Sequence, residues 1–141
     1  MFKFSMITGF FSGLVLGCFL WMMEKLMNVK VYTLLMNVDF LPFFEGRVFP
    51  PILEWIFHLL IAWIIAFFYL VLLKPKYKIR KSLLACLLSF IAAMSYFPLT
   101  VLAKKETPAV DNATAVIFWF SGHAIYGLVL YRFGKRNIHH H

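Results

Sequence analysis

The sequence predicts an all-α membrane protein in which four transmembrane helices form a bundle. Of its 141 residues, 62% are hydrophobic and only 14% are charged, whereas soluble domains are about 45–50% apolar and about 25% charged. Four apolar runs are as long as a membrane-spanning helix, and most cations lie at the ends of these runs. A soluble domain of this size could not bury so much apolar surface, so lipid must cover the rest.

Each predicted helix is close to the roughly 20 residues that a spanning helix needs. The helices cover about residues 4–23, 52–73, 83–103 and 113–131. Pro51 suits the first turn of the second helix, where its missing N–H removes no hydrogen bond. Pro98 should kink or end the third helix and free a carbonyl, for which Ser95 or Tyr96 could supply a donor.

The segment at about residues 26–50 is long for a loop and too apolar for a solvated one. We predict that it lies in the membrane interface and contains one short helix; a re-entrant segment is the alternative. A fifth span is disfavoured because Asp39 and Pro42 interrupt the apolar run. Residues 1–138 then form a single transmembrane domain, and the histidines at 139–141 look like the remnant of a purification tag.

The distribution of cations predicts the orientation of the helices. In a four-span topology, nine Lys and Arg residues flank the side that carries both termini, and five flank the other side. Because the cation-rich side normally faces the cytoplasm, we predict cytoplasmic N- and C-termini. The clustering of cations at helix ends also argues against nucleic acid as a partner, despite the formal charge of +8.

Small residues recur along single faces of the helices, a pattern that lets helices approach closely in lipid. The first helix repeats such a residue every four positions, and shorter stripes occur on the third and fourth helices. The residues predicted to mediate helix packing are Ser5, Gly9, Gly13, Gly17, Ser89, Gly122 and Gly127. We favour an intramolecular groove; a homodimer face is the alternative, because the spacing serves both.

Polar and ionisable residues are costly inside a membrane span, so they are the first candidates for a functional site. The candidates for binding a ligand or carrying a proton are Glu54, His58, Tyr69, Tyr96, His123 and Tyr126. Hydrogen bonds that merely join helices are the competing explanation for either histidine.

His58 lies sixteen residues before Lys74 and His123 nine before Arg132. The difference corresponds to roughly 10 Å of helix rise, which disfavours bis-histidine haem ligation.

No catalytic residue and no cofactor are predicted. The sequence has no His-Glu-x-x-His pattern and no cysteine pair of the kind that binds zinc. No serine or cysteine has a convincing order of histidine and carboxylate around it for nucleophilic catalysis. Whether the histidines bind a metal is left open.

Several short motifs resemble those of the YagU-like bacterial inner membrane proteins. They are the stretch from His58 through Tyr69, Phe97-Pro98-Leu99, Thr107-Pro108, Gly122-His123 and the closing Arg132. The chain differs from that family in its shorter first loop and in lacking a histidine on the third helix. Another stretch, Thr8-Gly9-Phe10-Phe11 with Ser12-Gly13, is similar to the YqhR-like proteins of spore-forming bacteria. Either resemblance implies a multi-pass protein of the bacterial cytoplasmic membrane, and neither implies a particular activity.

We therefore expect a non-enzymatic membrane protein that binds a partner protein, a lipid or a small molecule. Its partners would be the lipid bilayer and either a second copy or another membrane protein. The alternative is a small-molecule or proton-coupled transporter, in which the intramembrane histidines line a polar path. A metal- or haem-dependent membrane enzyme is the third hypothesis.

Overall fold

The fold is all-helical, as predicted. The computed structural model describes residues 1–44, 47, 49–74, 77 and 79–138, with side chains described as far as Gly134; the proposed tag at 139–141 lies outside the described residues. No strand occurs in these ranges. The helices are α1 (Phe2–Met27), α2 (Val31–Leu35), α3 (Pro51–Leu72), α4 (Lys81–Ala93), α5 (Tyr96–Leu102) and α6 (Ala113–Ile138), with a 3-10 turn at Pro42–Phe44.

Four segments of this fold are long and apolar enough to cross a membrane. They are Phe2–Met27, Pro51–Leu72, Lys81–Leu102 and Ala113–Gly134. The first and last helices extend beyond the predicted bounds, because helical hydrogen bonding continues past the apolar run into the flanking polar residues. The third span consists of α4 and α5 together, with a break between them.

Successive spans run antiparallel. α1 packs along both α3 and α6, and α4 packs along α6, whereas α3 and α4 touch only sparsely. Both chain termini and the α3–α4 connection therefore lie at one end of the bundle, here called the terminal face. The α1–α3 and α5–α6 connections lie at the opposite end, here called the loop face. One side of the four-helix arrangement, between α3 and α4, is left partly open.

Glycines allow α1 to approach α3 closely. A Cβ atom added to Gly9 would lie 2.5 Å from the Cα of Trp63, so a side chain there would collide with the backbone of α3. A Cβ added to Gly13 would lie 2.7 Å from the Cβ of Ala62. Trp63 also donates its indole N–H to the hydroxyl of Ser5 over 3.1 Å. The small-residue face of α1 is thus occupied by α3 of the same chain and offers no free surface there for a second copy.

The small residues of α6 likewise allow close packing, against α1 on one side and α4 on the other. Gly122 faces the side chains of Leu16 and Leu20 on α1, and Gly127 lies against Ser89 on α4. The Ser89 hydroxyl donates a hydrogen bond to the backbone carbonyl of His123. In lipid, close packing and hydrogen bonds between helices hold the bundle together, whereas soluble bundles are assembled by the hydrophobic effect.

The third span breaks one turn before Pro98. Proline has no N–H to donate to the carbonyl four residues earlier, which belongs to Met94, and α4 ends at Ala93. Two carbonyls near the break accept hydrogen bonds from side chains: the Trp119 indole donates to Ala93 over 2.9 Å, and the Ser95 hydroxyl donates to Ala92 over 2.6 Å. Neither is the carbonyl of Met94, so these bonds do not bear out the prediction that Ser95 or Tyr96 donates to the carbonyl freed by Pro98.

The connection between α1 and α3 is folded onto the loop face of the bundle. Val31 and Leu34 of α2 are fully buried. The carboxylate of Glu24, at the end of α1, accepts hydrogen bonds of 2.7 and 2.8 Å from the backbone N–H and the hydroxyl of Thr33. These contacts hold α2 against the bundle, because α2 is too short to be stable by itself.

The close approach of α1 and α3 predicts unequal effects of two identical substitutions. Gly9→Ala should lower the free energy of unfolding by about 1–3 kcal/mol, since the backbone of α3 must move. Gly122→Ala should cost less than about 1 kcal/mol, because only flexible leucine and phenylalanine ends surround that site. Thermal unfolding of the purified variants in one detergent measures both. Equal losses would show that the α1–α3 contact is not the tighter one.

Candidate functional site

A cavity of about 430 Å³ lies inside the bundle toward the loop face. Four of the six predicted site residues line it: Glu54, His58, His123 and Tyr126. Most of the remaining lining is apolar and comes from all six helices and from the segment at residues 37–41. The size falls within the roughly 300–1,000 Å³ of small-molecule sites, which are likewise mostly apolar with a few placed polar groups.

His58 is held in the cavity wall by a backbone carbonyl of α1. Its Nε2 lies 2.9 Å from the carbonyl oxygen of Gly13, and its ring packs edge-on against Trp55. A carbonyl can only accept, so Nε2 carries the proton and Nδ1 of the neutral ring is a hydrogen-bond acceptor. The absence of a side chain at Gly13 lets the imidazole reach this carbonyl.

His123 is fixed in a similar way by its own helix. Its Nδ1 donates to the carbonyl oxygen of Trp119 over 2.8 Å, which leaves Nε2 as the acceptor. The imidazole also packs against the Trp119 ring, with centroids 4.8 Å apart. His58 and His123 are only 7% and 4% exposed, and both line the cavity. The cavity therefore has two imidazoles, each with one acceptor nitrogen.

His58 and His123 line one cavity, although their spacing in the sequence predicts an offset of roughly 10 Å along the helices. His58 bonds to Gly13, and Gly122, next to His123, faces Leu16 and Leu20. Leu16 and Leu20 lie roughly 5 and 10 Å of helix rise beyond Gly13 on α1. Because α6 continues to Ile138, Arg132 does not mark its end.

The hydroxyl of Tyr126 is buried without a hydrogen-bond partner in the protein, unlike every other buried side-chain nitrogen or oxygen of the described residues. Ser12 is its polar neighbour, but the two hydroxyls do not form a hydrogen bond of normal geometry. Ser12 instead donates to the carbonyl of Thr8 over 2.7 Å. An unsatisfied polar group costs free energy in a water-free interior, and such groups often mark functional positions.

The other two candidate tyrosines lie outside the cavity and anchor helix ends. The Tyr69 hydroxyl donates to the backbone carbonyl of Lys81 over 3.2 Å, which ties α3 to the start of α4 at the terminal face. The Tyr96 hydroxyl donates to the carbonyl of Ala109 over 2.8 Å, which ties α5 to the following connection. Both tyrosines make structural hydrogen bonds here.

The segment at residues 37–41, here called the roof, lines the cavity at the loop face. Hydrogen bonds to Asp39 hold this segment in place. The Asp39 carboxylate accepts the backbone N–H groups of Lys104 and Lys105, the latter over 2.7 Å, and the side-chain amide of Asn37 over 2.8 Å. Sequence reasoning used Asp39 only to exclude a fifth span. A lone carboxylate in an apolar stretch was the available signal, but its partners are distant in sequence.

Two ion pairs also join segments of the chain at the loop face. Lys105 donates to Glu54 over 2.7 Å, and Lys30 pairs with Glu106. The Lys30 ammonium lowers the pKa of the exposed Glu106 carboxyl by a hydrogen bond and by its charge. Burial raises the pKa of Tyr32, whose hydroxyl accepts the Trp55 indole N–H over 2.9 Å. The loop face is thus a connected set of polar contacts above an apolar cavity.

No group of three or more His, Cys, Asp or Glu side chains forms a metal-binding cluster in the part of the chain that the structure describes. Comparisons of the chain with protein-family models, with curated proteins and with solved structures find no match. The resemblance to YagU-like and YqhR-like proteins therefore stays a prediction.

The position of Asp39 predicts a strong effect of a small substitution. Asp39→Asn should destabilise the roof by about 2–3 kcal/mol, because the amide has one acceptor oxygen and hydrogen bonds to charged groups are strong. Hydrogen exchange should accelerate by roughly tenfold or more at the amides of Lys104 and Lys105.

Asp111→Asn is the matched control for this substitution. Asp111 is exposed on the same loop face, so the change should leave exchange at Lys104 and Lys105 unaltered. Similar acceleration in both variants would mean that loss of charge, and not loss of the Asp39 contacts, loosens the roof.

Proposed function

We propose that the protein is a non-enzymatic integral membrane protein that binds a small apolar or amphipathic molecule inside its helical bundle. The observation that carries this proposal is the cavity of about 430 Å³ lined by both intramembrane histidines. Each histidine uses one ring nitrogen to fix its orientation, and its other nitrogen can accept a hydrogen bond from a ligand.

Preorganisation supports a binding role. Each imidazole is held by a backbone carbonyl, so little ordering is needed when a ligand arrives. The roof is likewise fastened by Asp39 and by the Lys105–Glu54 pair. A rigid apolar pocket with a few oriented polar groups is the usual design of small-molecule sites.

A proton-coupled transporter is the second candidate, favoured by the same pair of histidines in one cavity. It requires the fastened loop face to open, because residues 37–41 cover the cavity there. Transport therefore predicts that solute uptake into proteoliposomes changes between about pH 5 and pH 7.5, where histidine titrates. Binding without pH-dependent uptake would favour the first proposal.

We also propose that the protein resides in a bacterial cytoplasmic membrane with its terminal face in the cytoplasm. The support is the excess of cations on that side, nine against five. With Cys18 and Cys86 replaced by serine, a membrane-impermeant maleimide should label Asp111→Cys in spheroplasts but label Lys3→Cys only after lysis. The opposite pattern would invert the orientation.

Binding inside the bundle predicts that filling the cavity expels its ligand. Ala92 lines the cavity, so Ala92→Phe should reduce the amount of co-purifying small molecule severalfold, since the added ring occupies its space. Mass spectrometry of organic extracts from equal amounts of protein, purified in native lipid, measures this amount.

Ala124→Phe is the matched control, because Ala124 is exposed and lies outside the cavity lining. It should retain the same extractable molecules as the unmodified protein. An identical extract from all three proteins would refute binding within the cavity.

A further inference from the structure

The cavity opens sideways between α3 and α4. These two helices converge at the terminal face, where Tyr69 bonds to Lys81, and they otherwise touch only sparsely. Ile61 and Ile65 line the cavity from α3, and Ala92 and Leu99 line it from the third span. Ile61 is nevertheless 58% exposed on the outer surface, so it forms part of the rim. The opening is therefore bounded by apolar side chains from both helices.

The position of this rim is within the membrane. Ile61 lies at the middle of the span Pro51–Leu72, about 15 Å of helix rise from either end. At that depth the surroundings are hydrocarbon. At the loop face the cavity is lined by Asn37, Val38, Phe40 and Leu41, and Asp39 ties this segment to Lys105. A ligand that enters past Ile61 would therefore come from the lipid phase.

The polar side chains in the cavity favour some polar ligand heads over others. Among the described residues that line it, none is Lys or Arg, and the only acidic one is Glu54, whose carboxylate is paired with Lys105. An anionic head would lose its hydration and gain no cation. Nδ1 of His58 and Nε2 of His123 are both acceptors, and the unpartnered Tyr126 hydroxyl can donate. A neutral hydroxyl or amide head matches this set, because it can both donate and accept a hydrogen bond.

We infer that the cavity takes a neutral, single-chain amphipath from the lipid phase and that its head, a hydroxyl or an amide N–H, donates a hydrogen bond to the acceptor nitrogen of His58 or of His123. The volume of about 430 Å³ suits one chain, as in a drug-sized ligand, and not a two-chain phospholipid. This inference rests on the proposed binding function and adds the route of entry and the chemistry of the head.

Trp119 provides a direct readout of occupancy. Its side chain is fully buried and lines the cavity, so a brominated chain can quench its fluorescence by contact only from inside. The full-length protein in lipid nanodiscs would be titrated with ω-bromododecanol, ω-bromododecanoate and bromododecane. The pH is set so that the acid is ionised, and each concentration is expressed as a mole fraction of the bilayer. Ala92→Phe supplies the background from the other tryptophans.

The expected order is that ω-bromododecanol half-saturates the quenching at a mole fraction roughly three- to tenfold lower than bromododecane, as one or two net hydrogen bonds predict. The carboxylate should bind less tightly than the alcohol. His58→Phe and His123→Phe should each bring the half-saturating mole fraction of the alcohol closer to that of bromododecane, while bromododecane still quenches. His123→Gln keeps an acceptor oxygen, so it should preserve more of the difference between the two probes than His123→Phe.

The outcomes separate the two proposals. Equal binding of the alcohol and the alkane, or tighter binding of the carboxylate, would overturn the inferred head chemistry and leave the binding function standing. The same quenching in Ala92→Phe as in the unmodified protein, with all three probes, would overturn the binding function itself.

Discussion

The close approach of α1 to α3 is the contact on which the rest of the structure depends. Helices in lipid gain little from burying apolar side chains, so they associate where backbones can meet and polar groups can be shared. Gly9 and Gly13 create such a place against Trp63 and Ala62. The same missing side chain at Gly13 lets His58 donate to its carbonyl. One feature of α1 therefore sets both the helix register and the orientation of a cavity residue.

A second feature, the broken third span, lies beside the cavity, and Ala92 and Ser95 at the break help to line it. Pro98 interrupts the hydrogen bonding of this span, and Trp119 and Ser95 bond to carbonyls near the break. The sparse contact between α3 and α4 leaves a space that α1 and α6 close from behind. Asp39 then joins the α1–α3 connection to the backbone of Lys104 and Lys105 above this space. The result is a pocket lined at the loop face by this connection and on its outer side by Ile61, which is exposed on the protein surface.

Much of the candidate site could be anticipated, since polar residues inside an apolar span are conspicuous. Four of the six predicted residues line one cavity, while Tyr69 and Tyr96 form hydrogen bonds at helix ends. Sequence patterns could not separate these groups, because a tyrosine near a helix end can face a loop or the bundle interior. A cation beyond an apolar run likewise does not mark where a helix ends, since α6 continues past Arg132 to Ile138. Asp39 was overlooked as a fastening residue because its partners are more than sixty positions away.

The amino-acid sequence by itself determined that the protein has four helices long and apolar enough to cross a membrane, and that small residues form stripes along several of them. These properties follow from composition and local periodicity, which need no knowledge of neighbours. Only the tertiary structure decided that α3 covers the stripe of α1, that His58 and His123 share a cavity, and that residues of both α3 and α4 line it. Such relations depend on how far each helix is shifted and rotated against the next. Contacts between residues distant in the chain set those shifts, and the spacing along a single helix cannot encode them.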